Sequence, residues 1–246
     1  MSILFFFIIH NIYKRYYKKQ RQNLLEKANR EIKLKELESK QVLSQFNNEK
    51  LKIEVEKLNL QFSVFAQNFE GFGNSISKIT NDIINMEGMS GTKTRHFYNN
   101  LLNTEDARYL EIGTWKGSSV CSAMCGNKAK IVCIDNWSEF GAPKSEFLVN
   151  FEKFKGENEA IFIEDDCYKV DVSVLPKFNI YMYDGNHSKE NHYKALSHYY
   201  NCLDDIFIYI VDDWNGEPVR RGTRNGIAKM NLTVLVVVNT LYLIPH

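Results

Sequence analysis

Acidic residues recur along the second half of this 246-residue chain in a pattern that could do chemistry. Glu111, Asp135, Glu164 with Asp165 and Asp166, Asp184, and Asp212 with Asp213 each close a short apolar run. His187 stands three residues after Asp184. A single acid after a strand is most often a helix cap, but five such endings in succession are hard to explain by capping. Carboxylates gathered along one edge would repel a pyrophosphate. They suit a cationic ligand, ribose hydroxyls and a divalent metal, and Mg²⁺ prefers oxygen ligands of this kind. Asp184 and Asp212 are 28 residues apart, which leaves room for one helix and the next strand. With Asp213 they form a candidate metal set, and an ion held there would lower the pKa of a bound hydroxyl and orient it. His187 falls at the start of the next helix, where the helix end and a nearby ion both favour neutral imidazole. It is the candidate general base, acting with Asp184 as the catalytic pair.

Alternating strands and helices must position these groups. Strands are predicted over 109–112, 130–134, 160–163, 178–183, 206–211 and 232–238, and helices over 118–125, 144–154, 188–203 and 219–230. This alternation predicts βαβ units, hence an α/β fold with a doubly wound, mostly parallel, Rossmann-like sheet covered on both faces. All the strand-end acids then lie on one edge, where open α/β folds bind ligands.

The turn after the first strand narrows the ligand. It reads Glu111-Ile-Gly113-Thr114-Trp115-Lys-Gly117, with Trp115 where a dinucleotide fold places its second glycine. S-adenosylmethionine has a sulfonium, an ammonium and a ribose but no phosphate, so it fits an acidic edge. The turn resembles the first motif of class I S-adenosylmethionine-dependent methyltransferases in its E-x-G-x-x-x-G form. Val132-Cys-Ile-Asp135 resembles their second motif, and Asp165-Asp166-Cys167 the stretch that meets the adenine. Tyr183-Asp-Gly-Asn-His187 and Val211-Asp-Asp-Trp214 resemble the metal-binding segments of the macrocin/mycinamicin-type sugar O-methyltransferases. The resemblance covers about 150 residues. It implies cofactor contacts from Glu111, Gly113, Thr114, Trp115, Gly117, Asp135 (ribose) and Asp166 (adenine). It also implies Mg²⁺ on Asp184, Asp212 and Asp213, His187 as base, and a small-molecule acceptor hydroxyl, by resemblance a sugar's. Lys93, Thr94, Arg95 and His96 precede the first strand, and Arg95 could there meet an anionic substrate. Two other readings stay open: the same fold serving another sugar-modifying reaction, or a coiled-coil scaffold carrying a degenerate domain.

The N-terminal part is of another kind. Residues 1–19 join an apolar run, Ile3 to Ile9, to a basic cluster of Lys14, Arg15, Lys18 and Lys19. The run is too short to span a membrane and lacks a signal-peptide cleavage site. It reads as a membrane-surface anchor, as a helix start packing on a partner, or as a tail with no role. Residues 20–70 read as a long helix. Leu51, Val55, Leu58, Phe62, Phe65 and Phe69 are spaced 4, 3, 4, 3 and 4 apart, an a/d stripe that predicts homo-oligomerisation, the alternative being a single amphipathic helix folded back on the domain. Upstream the register is less regular, though Leu34, Leu37, Val42 and Phe46 keep an apolar face. Residues 71–91, with four glycines, read as a linker, and 92–246 as the enzyme domain. A net charge of +1 gives no pull toward nucleic acid. Five cysteines without a C-x-x-C pair suggest a reduced, cytoplasmic chain. Only Asn239–His246 follow the sixth expected strand, so the terminal pair of strands that the resemblance implies is expected to be incomplete.

Overall fold

The computed structural model describes residues 76–234 continuously and, before them, part of the stretch 19–56. The chain divides into two compact units, Met1–Phe62 and Ser63–His246. In the first, residues 33–53 form an uninterrupted helix. The apolar and basic N-terminal segment, and the stripe beyond Leu51, lie outside the described residues. Among the described residues no helix is long and apolar enough to cross a membrane.

The second unit is built on five parallel strands: β1 (Arg108–Ile112), β2 (Lys130–Asp135), β3 (Glu159–Glu164), β4 (Phe178–Tyr183) and β5 (Leu203–Val211). Their order is β3-β2-β1-β4-β5. The chain runs outward from β1 to β3, then returns to lie on the other side of β1, which is the doubly wound, Rossmann-like arrangement. Among the described residues of this unit six α-helices accompany the strands: α1 (Asn81–Ile84), α2 (Thr92–Leu101), α3 (Ser118–Met124), α4 (Lys144–Phe154), α5 (Lys189–Tyr199) and α6 (Glu217–Lys229).

Period-two alternation along the strands builds two cores. Tyr109, Ile131, Cys133, Ile180 and Met182 point to one face, where they meet Leu101, Val120, Phe147 and Phe151 from the helices. Leu110, Ile112, Val132, Ile134, Tyr181 and Tyr183 point to the other, against Ala195, Leu196 and Tyr199 of α5. Strands buried on both faces explain why the sequence shows continuous apolar runs rather than alternation. On the second face α6 lies hard against α5. A Cβ at Gly222 would sit 2.4 Å from the Lys189 carbonyl oxygen and 2.7 Å from the His192 Cβ.

Two regions differ from the sequence expectations. Residues 76–91, the end of the stretch read as a linker, pack on the domain. Ile83 is fully buried. The Arg95 guanidinium donates through Nη1 to the carbonyls of Ile83 (2.5 Å), Ile84 (3.2 Å) and Met86 (2.8 Å), and through Nε to that of Ser90 (2.9 Å). The side chain considered for an anionic substrate is thus a buried staple for the lead-in, and the folded unit reaches back to at least Ile76. At the other end, residues 232–234 are not in a strand. Instead the Leu232 N–H donates to the Ile227 carbonyl at 3.2 Å, and its side chain packs on the second core. The rest of the sixth strand, 235–238, lies outside the described residues.

Candidate active site

The candidate site forms where the sheet order reverses, at the C-terminal ends of β1, β2 and β4. Parallel pairing sets the register there: Ile112 lies beside Ile134 on one side and Tyr183 on the other. The loop leaving each strand therefore starts at the same level. The Gly113 N–H donates to the Ile134 carbonyl (2.9 Å), and the Asp184 N–H to the Ile112 carbonyl (2.8 Å). A Cβ at Gly113 would stand 2.0 Å from the Asp184 carbonyl oxygen, and its φ of +85° is one that side chains rarely adopt. Only glycine lets the first turn pass the end of β4.

Asp135 organises the β1 turn. Its Oδ2 accepts from the backbone N–H groups of Thr114 (2.8 Å) and Trp115 (2.9 Å), and its Oδ1 accepts from Trp137 N–H (2.7 Å). The Trp137 indole N–H then donates to the Trp115 carbonyl (2.8 Å), and the Trp115 indole N–H to that of Phe140 (3.0 Å). The loops after β1 and β2 are clasped through one carboxylate and two tryptophans. Trp115 and Trp137 hold positive φ values of 46° and 47°. Such backbone is costly and persists where the surroundings over-determine it. Trp137 was not among the candidates read from the sequence. Its one signal there is an aromatic residue two places after the strand-end acid.

Glu111, expected to touch the cofactor, is instead an interior group with no exposed surface. Its oxygens accept from the Tyr109 hydroxyl (2.6 Å) and the Ser119 hydroxyl (2.5 Å), which ties β1 to α3 beneath the turn. Burial pushes its carboxyl up to about 8, opposed by those two hydrogen bonds and helped by the charges of Asp184 and Asp135. Thr114 is buried in the turn, and Gly117, left-handed at φ 87°, starts α3. Asp166 stays half-exposed at the end of β3, with Oδ1 accepting from Tyr168 N–H at 2.9 Å. No hydrogen bond joins it to the other candidates among the described residues.

The second half of the site is a histidine between carboxylates. His187 Nε2 is 3.4 Å from Asp184 Oδ1, and its Nδ1 is 3.0 Å from Asp213 Oδ2. Asp213 reaches the ring from a left-handed backbone, φ 49°. Hydrogen bonding to Asp184 raises the imidazole pKa above its ordinary 6.5, with further help from the charges of Asp213 and Asp212. Burial beside Asp212 pushes the Asp184 carboxyl up to about 7. The loop carrying His187 rests on Tyr183, whose hydroxyl donates to the Asn186 carbonyl at 3.4 Å. Beneath it, His192 is fully buried, as a core histidine. It lies edge-on to Tyr183 with ring centroids 4.9 Å apart. Burial lowers its pKa to about 4.

The three-carboxylate metal site expected at Asp184, Asp212 and Asp213 does not form as such. Among the described residues no group of three or more His, Cys, Asp or Glu side chains is arranged to hold a metal ion. His187 lies between Asp184 and Asp213 and is paired with both. Asp212 lies beside Asp184, and its charge adds to the cost of ionising the Asp184 carboxyl.

A family model described as a methyltransferase domain matches residues 110–214. That span holds every candidate residue named above. No curated protein matches the chain in sequence. Among solved structures, precorrin 8w decarboxylase of Methanobacterium thermoautotrophicum is similar at 14% identity and a TM-score of 0.48, over 63% of this chain and 78% of that one. An SAH-bound methyltransferase of Podospora anserina is similar at 15% identity and a TM-score of 0.46, over 68% and 79%. An O-methyltransferase of Bacillus cereus in complex with SAH is similar at 15% identity and a TM-score of 0.43, over 69% and 79%.

Proposed function

We propose that the methyltransferase domain of this chain carries a methyl group from S-adenosylmethionine to a hydroxyl of a small molecule, with His187 as the base. The observation that carries this reading is the His187 imidazole held between Asp184 and Asp213 where the chain leaves β4, beside the β1 turn that Asp135 organises. Methyl transfer is an in-line displacement at carbon. It needs donor and acceptor held in line and the acceptor oxygen relieved of its proton. The cofactor supplies the electrophilic methyl when bound. The Thr114–Trp115 turn and Asp135 orient it, and Asp166 faces the adenine side. His187 takes the hydroxyl proton onto a ring nitrogen, and Asp184 and Asp213 stabilise the imidazolium that results. A divalent ion, where one binds, would be held by Asp184 and Asp212 and would add acidity to the acceptor hydroxyl. The acceptor class, a sugar hydroxyl, is supported by the resemblance of the Tyr183–His187 and Val211–Trp214 segments.

Calorimetry with S-adenosylhomocysteine, with and without Mg²⁺, is the direct test. Micromolar or tighter binding is expected, weakened at least tenfold in Asp135→Ala through loss of charge-assisted hydrogen bonds worth about 1.5–3 kcal/mol. Binding of NADH in its place would overturn the assignment. His187→Ala should lower turnover by about 10²–10⁴, the range of a general base, while leaving cofactor affinity unchanged. Because Asp184 and Asp213 raise the imidazole pKa, the rate should climb with pH through a value above 6.5. A flat profile, or normal turnover in His187→Ala, removes the histidine from the mechanism. EDTA should lower the rate if the Asp184–Asp212 pair works with an ion, and full activity in EDTA rules that part out.

A further inference from the structure

The helix over residues 33–53 presents apolar side chains to solvent. Leu34, Leu37, Leu43, Phe46, Leu51 and Ile53 are 56–66% exposed. An unbroken helix fixes their relative directions. Leu34 and Leu37 are three apart, and Leu51 follows Leu37 by two heptads, so all three share one face. In sequence the same spacing continues through Val55, Leu58, Phe62, Phe65 and Phe69. One heptad register thus runs without a break from Leu34, at position a, to Phe69. Eight of its eleven a and d positions are apolar. The opposite c and f positions, which include Leu43, Phe46 and Ile53, also carry Glu36, Lys50 and Lys57. The a/d face is therefore the better seam.

The seam has a polar centre: Gln41 and Asn48 at a, and Ser44 at d. An asparagine at a can pair its amide with the same residue of a facing helix only when the two helices are parallel and in register. In other arrangements it is buried against apolar side chains without a partner. Charges agree. Lys33 at g would face Glu38 at the next e of the other helix, and every other g–e contact up to position 66 pairs a charged residue with a neutral one or two neutral ones. No like charges meet.

We propose that this chain associates with a second copy of itself through a parallel, in-register, two-stranded coiled coil built on the helix over residues 33–53, with Asn48 facing Asn48 and setting the register. This is independent of what the methyltransferase domain does. Two experiments on the full-length protein test it. In the first, Asn48→Cys and Phe46→Cys are oxidised mildly and run on a non-reducing gel against the parent, whose five cysteines set the background. Facing a positions lie within disulfide reach, whereas f positions point apart. A covalent dimer is expected from Asn48→Cys and not from Phe46→Cys. In the second, sedimentation equilibrium should give a dimer for the parent. Leu37→Glu with Leu58→Glu should give a monomer that still binds S-adenosylhomocysteine or, should that ligand not bind, keeps the parent's thermal melt. Phe46→Glu with Ile53→Glu should remain dimeric. A monomeric, trimeric or tetrameric parent, crosslinking through position 46 instead of 48, or dissociation by the Phe46–Ile53 pair alone would each overturn the proposal.

Discussion

Glu111 shows how one residue can be named by sequence and yet play another part. Its place in the turn motif suggested contact with a ligand, but its carboxyl is sealed between Tyr109 and Ser119. What the motif recorded is the need for an acid there, not the direction it faces. The sealed carboxyl has a consequence for stability. In the unfolded chain it ionises near 4.5, whereas in the native state it holds its proton up to about 8. The native state therefore binds the extra proton between those values, and the stability this contributes is lost as pH rises through the native pKa. His192 acts on the acid side. Its pKa falls from 6.5 to about 4 on folding, so its contribution is present above 6.5 and is lost as pH falls toward 4. Glu111→Gln keeps the shape and the hydrogen bonds of the neutral acid without the ionisable proton. Thermal melts from pH 5 to 9 should show a shallower alkaline decline than the parent's. An unchanged slope would mean that Glu111 is ionised at neutral pH.

Elements were legible where they rest on local pattern. The five parallel strands lie where apolar runs end in acids, because burial on both sheet faces demands continuous apolar residues and the ligand edge collects the acids. What pattern does not carry is where polar groups find partners. The Arg95 staple ends on backbone carbonyls, and the Asp135 clasp on backbone N–H groups, so neither has a signature in residue type. The β-branched run from Leu232 predicted a strand at its very start, yet residues 232–234 are not in a strand, and Leu232 packs instead against the second core. The packing of α6 on α5 was equally hidden, since Gly222 reads in sequence as a weak helix former rather than a contact point. Gly222→Ala should destabilise the protein by about 1–3 kcal/mol, the usual cost of overpacking, despite alanine's better helix propensity. Urea unfolding measures this. A stabilised variant would show that the two helices can part without loss.

At the scale of the whole molecule, the division falls between Phe62 and Ser63. Among the described residues both hydrophobic cores draw on the span from Ile79 to Leu232, and every residue assigned to cofactor, base or metal lies between Glu111 and Asp213. The residues of the site thus all belong to the second unit, whereas the seam proposed for association begins in the first. Removing residues 1–62 should separate the two properties. The shortened chain should sediment as a monomer, because six of the eight apolar seam positions are lost with residues 1–62 and the two that remain, Phe65 and Phe69, are too few to hold a coil. It should melt cooperatively, and its affinity for S-adenosylhomocysteine should stay within about twofold of the parent's. A truncated protein that folds but does not bind S-adenosylhomocysteine, where the parent does, would show that the helical unit takes part in the site.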